Sequence, residues 1–319
     1  MKADGQARPA RTATRAHSCV AVATTLLILA GCGGCEAPRD ASPARGESTT
    51  TASDTASIPI AVPTRDTLRA PGYRAVAITG AKGLARLRKT LGPEGFATVL
   101  KVNRVDLGHV RDGDTLMVPD SATMALDSTA RMLALSPFPR ALGAGHAAKK
   151  LLLVSLRVQA FAAYDSGTLA RWGPTSTGRE TLQTPAGLYH TNWKDRERTS
   201  TFNEEWLLEW YVNLENFLGI SLHRFELPGH PASHSCVRLL EDDAMWLYGW
   251  VEQWRIGEDP RVILQQGTPV VIFGRYGYHE PPPWKRLGVD STATNVTLAE
   301  VEEAMELHLP RVRASGPSP

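Results

Sequence analysis

Between Glu36 and Asp66 the chain is built of Ala, Ser, Thr and Pro with scattered charges and almost no large apolar residue. Such a stretch cannot bury enough surface to offset the entropy of ordering it, so it reads as a disordered tether. Folded structure must come from the remainder of the 319 residues, enough for two domains or one domain with extensions. Lys and Arg number 35 against 33 Asp and Glu, a net charge of +2. That balance excludes an acidic-tail protein and gives no electrostatic case for nucleic acid as a partner. The 4 cysteines are too few for a disulfide scaffold or a Cys-rich zinc protein. Cys19, Cys32 and Cys35 precede the tether or open it, which leaves Cys236 alone in the folded part.

The N-terminus reads as an export signal, with Lys2, Arg8, Arg11 and Arg15 ahead of the apolar run Val20–Leu29. That run is short for a bilayer span. Its end, Leu29-Ala30-Gly31-Cys32, resembles the bacterial lipobox, which implies cleavage before Cys32 and lipidation of that residue. The alternative is a plain secretory signal with an incidental cysteine. With the lipid, the mature protein sits on the extracytoplasmic face of a membrane, held through its N-terminus.

The expected organisation is a signal over 1–31, the tether over 32–68, a small unit over 69–120, a linker over 121–148, a main domain over 149–275 and a tail over 276–319. In the small unit Leu84, Leu87 and Leu91 have helical spacing up to Gly92-Pro93, and a second helix spans 95–103. A turn at Gly113-Asp114 then leads to a short strand closing on Pro119. This second half resembles the LysM module, which implies glycan binding; no opening strand is evident, and a helical spacer is the alternative. Residues 121–148 read as part helix, part linker. From Lys149 the pattern turns to strands: Leu151–Phe161, then a turn at Tyr164–Gly167, Gly187–Asn192 and Gly267–Gly274. A helix over Glu241–Trp254 is inserted, with Met245, Tyr248 and Val251 on its apolar face. The fold class is mostly β with inserted helices. The tail, with Pro281–Pro283 and a helix near Leu298–Leu309, is expected to be peripheral.

Chemistry concentrates between His223 and Cys236, which hold His223, His230, His234 and the lone thiol. An imidazole near a thiol stabilises the thiolate and makes it a nucleophile. Pro228, Gly229 and Pro231 place the segment on a loop, where function tends to sit. A helix after Cys236 would point its N-terminal N–H groups at the sulfur. Other readings remain open at this level: a buried inert cysteine, a zinc site from His223, His230, His234 and Cys236, or surface histidines, His230 above all.

Ser233-His234-Ser235-Cys236-Val237-Arg238, preceded by Ser221-Leu222-His223, resembles the signature of the L,D-transpeptidase catalytic domain (YkuD-type). Thr175-Ser-Thr-Gly178 and Thr184-Pro185-Ala-Gly187-Leu-Tyr189 are similar to further family elements, in order. The likeness spans Leu151–Gly274 and implies a β-sandwich-like catalytic domain. It departs at Ser235, where the family usually has Gly, and in a short His223–Ser233 loop. The resemblance implies Cys236 as nucleophile, His234 as base and His223 as the second histidine of the pocket. It further implies Ser233 as support for the loop, with Arg238 bracing the site or facing a substrate carboxylate. Backbone N–H groups at Ser235 and Cys236 would form the oxyanion hole.

The implied reaction is acyl transfer from a peptidoglycan tetrapeptide stem, with release of D-Ala, a Cys thioester, and an amine acceptor; it needs no metal and no cofactor. The implied partners are stem peptides, glycan and the membrane through Cys32. Alternatives are an L,D-carboxypeptidase, an impaired wall-binding lipoprotein and a zinc-dependent murein hydrolase. The aromatic segment Phe202–Tyr211 either packs the sheet, the favoured reading, or covers the site.

Overall fold

Tyr73–Ala77 (β1) and Thr115–Pro119 (β2) pair antiparallel, and between them runs Gly80–Val102 (α1). In this computed structural model the described residues are 70–143, 148–306 and 308. The signal, Cys32 and the tether therefore lie outside the described residues. Helix α1 is broken where Gly92 takes φ 68° ahead of Pro93, so it is two helices, as the Leu spacing and the Gly-Pro pair predict. Ile78, Leu87, Phe96, Val99, Leu116 and Val118 give this unit its own core. The Asn103 side chain donates to Val99 O and Met117 O, both at 2.8 Å, and accepts from Met117 N, stitching the helix end to β2. The opening strand absent from the sequence reading is β1. It buries little on either face, so it carries no period-2 signal.

Short helices Ser121–Met124 (α2) and Ser128–Ala134 (α3) follow, capped by Asp120 and Asp127. Then come Lys150–Ser155 (β3), Ala160–Asp165 (β4), Thr168–Ser176 (β5), Gly187–His190 (β6), Lys194–Thr199 (β7) and Leu207–Asn213 (β8). Ser221–Arg224 (β9) and Val237–Leu239 (β10) precede the helix Glu241–Trp250 (α4). The chain continues with Arg255–Ile256 (β11), Ile263–Gln265 (β12), Pro269–Phe273 (β13) and the helix Leu298–Glu306 (α5). Nine strands form one continuous sheet in the order β6-β13-β3-β4-β5-β10-β9-β8-β7. The β13–β3 and β10–β9 pairs are parallel and the others antiparallel. The mostly-β expectation holds.

The run Leu151–Phe161, expected as one strand, is a hairpin. Gln159 takes φ 48° and Ser155 pairs with Ala160. Its apolar residues are nearly continuous because both faces of the sheet are covered. Leu151, Leu153 and Tyr164 enter one core, while Leu152, Val154 and Phe161 enter the other. Helix α4 covers the second face with Ala244 and Leu247. Met245, expected on its apolar face, is 48% exposed.

The first face is covered by the flanking segments. Leu133, Leu135 and Phe138 join its core, and the Trp172 indole donates to Met132 O at 2.6 Å. The tail, expected to be peripheral, is a correction: Trp284, Leu287, Val296, Val301 and Met305 are buried in the same core. The sheet otherwise exposes an apolar face there, and burying each large side chain contributes roughly 1.5–3 kcal/mol.

The N-terminal unit docks through Val102 and Met117, which join the first core, and through charge. Lys101 Nζ meets Asp243 Oδ1 at 3.2 Å and Arg171 Nη2 meets the same oxygen at 2.6 Å, with Asp243 itself buried. Arg104, also buried, donates to Val158 O and Val102 O. Its guanidinium lies 5.8 Å from the Trp172 ring centre and 5.3 Å from that of Trp284.

Candidate active site

The parallel pair β9–β10 builds the site. Leu222 lies opposite Val237, and His223 opposite Arg238. Alternation along β9 sends Leu222 into the core and turns Ser221 and His223 to the other face. The connection between the strands returns to the sheet through Ser233–Cys236. Ser233 N donates to Thr177 O and Arg179 N to Ser233 O, each at 3.0 Å. The Ser233 hydroxyl donates to Cys236 O at 2.6 Å and closes the turn.

Ser235 sits in that turn at φ 83°, in the left-handed region that favours glycine. The backbone conformation is thus the one a glycine adopts freely, and serine holds it through local bonds. Its hydroxyl donates to Gln183 O at 3.2 Å and Leu182 O at 3.3 Å, while Ser235 O accepts from Thr184 Oγ1 at 2.8 Å. Gly178 N donates to the same Thr184 hydroxyl oxygen. A Cβ at Gly178 would collide with Leu182 O and Thr184 N, which explains the glycine in Thr175-Ser-Thr-Gly178. The segment 178–184 therefore backs the cysteine turn.

Cys236 is a free thiol, half-buried. It donates to Gly219 O at 3.2 Å and accepts from the Ser221 hydroxyl at 3.3 Å. Burial pushes this thiol above its ordinary pKa, against the Ser221 hydroxyl, the Ser221 amide and the Arg238 charge, which favour the thiolate. No helix begins at Cys236. Strand β10 intervenes, so the expected help from a helix N-terminus is absent.

His223 is 3% exposed. Its Nδ1–H donates to Arg224 O at 2.9 Å, which leaves Nε2 as the basic nitrogen. Burial holds its pKa down to about 4, with the Arg224 carbonyl opposing and Arg238 assisting. His234 is half-buried, with its ring centroid 4.7 Å from that of Phe202 and 5.5 Å from that of Trp206. Its Nδ1 is buried without a hydrogen-bond partner among the described residues. Burial lowers its pKa too, followed by the charges of Arg179 and Arg238.

Cys236, His223, His234, Ser233 and Arg238 all line one narrow cavity of about 30 Å³, together with Phe202 and Trp206. Ser235 and His230 do not line it. Arg238 is mostly buried, with its guanidinium 4.4 Å from the Phe225 ring centre. The aromatic segment divides its work. Tyr211 is buried and Trp210 packs against the second core, whereas Phe202, 62% exposed, lines the cavity beside His234. Sequence reading passed over Ser221 and the Gly219 carbonyl. The signal for Ser221 was its place two residues before His223 on one strand. Among the described residues no group of three or more His, Cys, Asp or Glu is placed to hold a metal ion, and no helix is long and apolar enough to cross a membrane.

Residues 149–272 match the family model of the L,D-transpeptidase catalytic domain, YkuD. No curated protein matches the chain. Among solved structures, the chain is similar to an L,D-transpeptidase from Stackebrandtia nassauensis at 22% identity and a TM-score of 0.33, over 40% of this chain and 57% of that one. It is similar to one from Mycobacterium smegmatis at 18% and 0.32, over 40% and 59%. A third is Mycobacterium tuberculosis L,D-transpeptidase 1, at 20% and 0.30, over 40% and 63%. The match thus spans less than two thirds of the length of each of these proteins.

Proposed function

From the match of residues 149–272 to the L,D-transpeptidase catalytic domain model, we propose that this protein is a peptidoglycan L,D-transpeptidase with Cys236 as its nucleophile. The observation that carries the reading is the convergence of the Cys236 thiol and two neutral-leaning imidazoles on one cavity lined by aromatic rings.

The base we assign is His223 rather than His234, which held that role in the sequence reading. The Arg224 carbonyl fixes the His223 tautomer and orientation, the arrangement a general base requires. His223 Nε2 takes the thiol proton, and the sulfur attacks the amide carbonyl of the L-centre of diaminopimelate in the tetrapeptide stem. Backbone N–H groups of Ser235 and Cys236 receive the oxyanion. The C–N bond breaks, the proton passes from His223 to the departing D-Ala amine, and a thioester remains. An acceptor amine then attacks, gives its proton to His223, and restores the thiol. One amide replaces another, so no energy-rich cofactor is needed. His234 lines the pocket beside Phe202 and Trp206, and Arg238 receives a substrate carboxylate.

Two readings compete. Water in place of the amine makes the protein an L,D-carboxypeptidase with the same first half-reaction. An impaired wall-binding lipoprotein was suggested by Ser235, yet its hydroxyl is committed to the 182–183 carbonyls and does not enter the cavity. Incubating the protein with a disaccharide-tetrapeptide or a carbapenem and measuring intact mass tests the proposal. An adduct absent in Cys236→Ala, with D-Ala release from the tetrapeptide, is expected. No adduct on the folded protein refutes it.

The unit over 69–120 we assign to glycan binding, testable by co-sedimentation with purified peptidoglycan before and after Cys236→Ala. Anchoring through Cys32 to the extracytoplasmic face of a membrane predicts fatty-acid labelling in cells that Cys32→Ala abolishes.

A further inference from the structure

We propose that Ser221 is part of the nucleophile's machinery: its hydroxyl is a donor that, together with the Ser221 amide, holds the Cys236 sulfur and stabilises the thiolate once the proton has left. This deepens the transpeptidase reading and rests on it for the identity of the substrate, but not for the chemistry of the thiol.

The geometry comes from the strand. Residues two apart on β9 share a face, so Ser221 reaches the Cys236 sulfur and His223 lines the same cavity as that thiol, with Leu222 buried between them. Ser221 is fully buried, and the sulfur, 3.3 Å away, is the one acceptor its hydroxyl finds among the described residues. The thiol proton points elsewhere, to Gly219 O at 3.2 Å. The two hydrogen bonds therefore have different fates. When S–H breaks and the proton moves to His223 Nε2, the bond to Gly219 O is lost and its lone pairs face the new anion. The Ser221 O–H stays intact, and its bond becomes charge-assisted and stronger. A buried anion is costlier the fewer donors it has. The Ser221 amide stays in every variant and the hydroxyl is the donor that Ser221→Ala removes, while burial is the largest influence raising this thiol's pKa.

The charged and titratable groups around the sulfur are His223 on β9, His234 in the turn and Arg238 on β10. None is altered by substituting Ser221. The loop ahead of it is itself held, because the Glu215 carboxylate accepts from Phe217 N at 2.8 Å and from Leu218 N. The Gly219 carbonyl thus keeps its place whether or not the serine hydroxyl is present.

The test is the alkylation rate of Cys236 by iodoacetamide across pH in the full-length protein, quantified on the Cys236 peptide by mass spectrometry so that the N-terminal cysteines do not contribute. Ser221→Ala is expected to slow alkylation at neutral pH by about tenfold, the scale of one lost hydrogen bond to a charge, and to move the midpoint to higher pH. Ser221→Thr, which keeps the hydroxyl, is expected to restore both. Unfolding midpoints are measured alongside, and Ser221→Gly replaces the alanine variant if the latter does not fold. An unchanged alkylation profile in the folded variant lacking the hydroxyl overturns the proposal, even if transpeptidation falls. Alkylation needs no donor peptide. A shifted profile in a protein that no tetrapeptide acylates would therefore sink the transpeptidase reading and leave the role of Ser221 standing.

Discussion

Arg104 and Ser235 both hold a non-glycine residue in left-handed backbone, at φ 55° and 83°. Each also marks a place with an orphaned nitrogen: Arg104 Nη2 in one case, Nδ1 of the adjacent His234 in the other. Strain and an unsatisfied donor are often taken as signs of function. At Arg104 every other contact is a staple, to two backbone carbonyls and two indole rings that join the N-terminal unit, the sheet and the tail. Ser235 itself bonds to the 182–184 segment, but its chain neighbours His234 and Cys236 line a cavity together with His223. The difference teaches that strain marks where the fold is over-determined. A reactive group facing open space is what turns such a corner into a site.

Substitutions on the two sides separate these roles. His223→Ala is expected to cut the rate of acyl-adduct formation by roughly a hundredfold or more, the usual scale for losing a general base, as read by time-resolved intact mass. His234→Ala is expected to cost clearly less. The reverse order would return the base to His234.

Arg104→Ala removes two backbone hydrogen bonds and two cation–π contacts. It is expected to lower unfolding stability by roughly 2–4 kcal/mol with no change in adduct rate per folded molecule. Urea unfolding and the mass assay together check this, and a rate loss without a stability loss would make Arg104 functional.

The comparison extends to pH. His223 is held near 4 in the folded protein against an unfolded value of about 6.5. Its contribution to stability is fully present above pH 6.5. As pH falls below that the unfolded chain takes up a proton that the folded protein refuses, so stability declines until pH nears 4. At about 1.36 kcal/mol per pH unit, the loss across that window is about 3 kcal/mol. His223→Gln is expected to flatten that slope in urea titrations between pH 4 and 7, whereas Arg104→Ala leaves it unchanged.

Ser235→Gly is the mildest test. Relief of the left-handed strain favours it and loss of the bonds to Leu182 O and Gln183 O opposes it. The net stability change is expected to stay under about 1 kcal/mol, with adduct rate altered severalfold at most. A large gain in rate would mean that the hydroxyl obstructs the site.

Much of the site was legible in order and spacing. His223, Ser233, His234, Cys236 and Arg238 stand within one segment, and all line the cavity. The hairpin inside Leu151–Phe161 was not legible, because a sheet buried on both faces erases the alternation that marks strand ends. The tail looked peripheral for a related reason. Trp284 and Met305 are spread through a polar stretch, and only the uncovered sheet face explains their burial. Ser221 carried only the signal of its place two residues before His223, since a single serine in a strand is otherwise ordinary.

What the amino-acid order determined by itself is local chemistry: a thiol beside histidines on a Gly/Pro-rich loop, and a helix break at Gly92-Pro93. What the tertiary structure decided is which groups meet. Strand pairing set β9 beside β10, and period-2 alternation put Ser221 and His223 on one face, where Ser221 bonds the Cys236 sulfur and His223 lines the same cavity as Cys236. The tautomer of His223 follows from the carbonyl that β9 presents to it. These are outcomes of register and burial, which depend on contacts between residues far apart in the chain and so leave no local pattern to read.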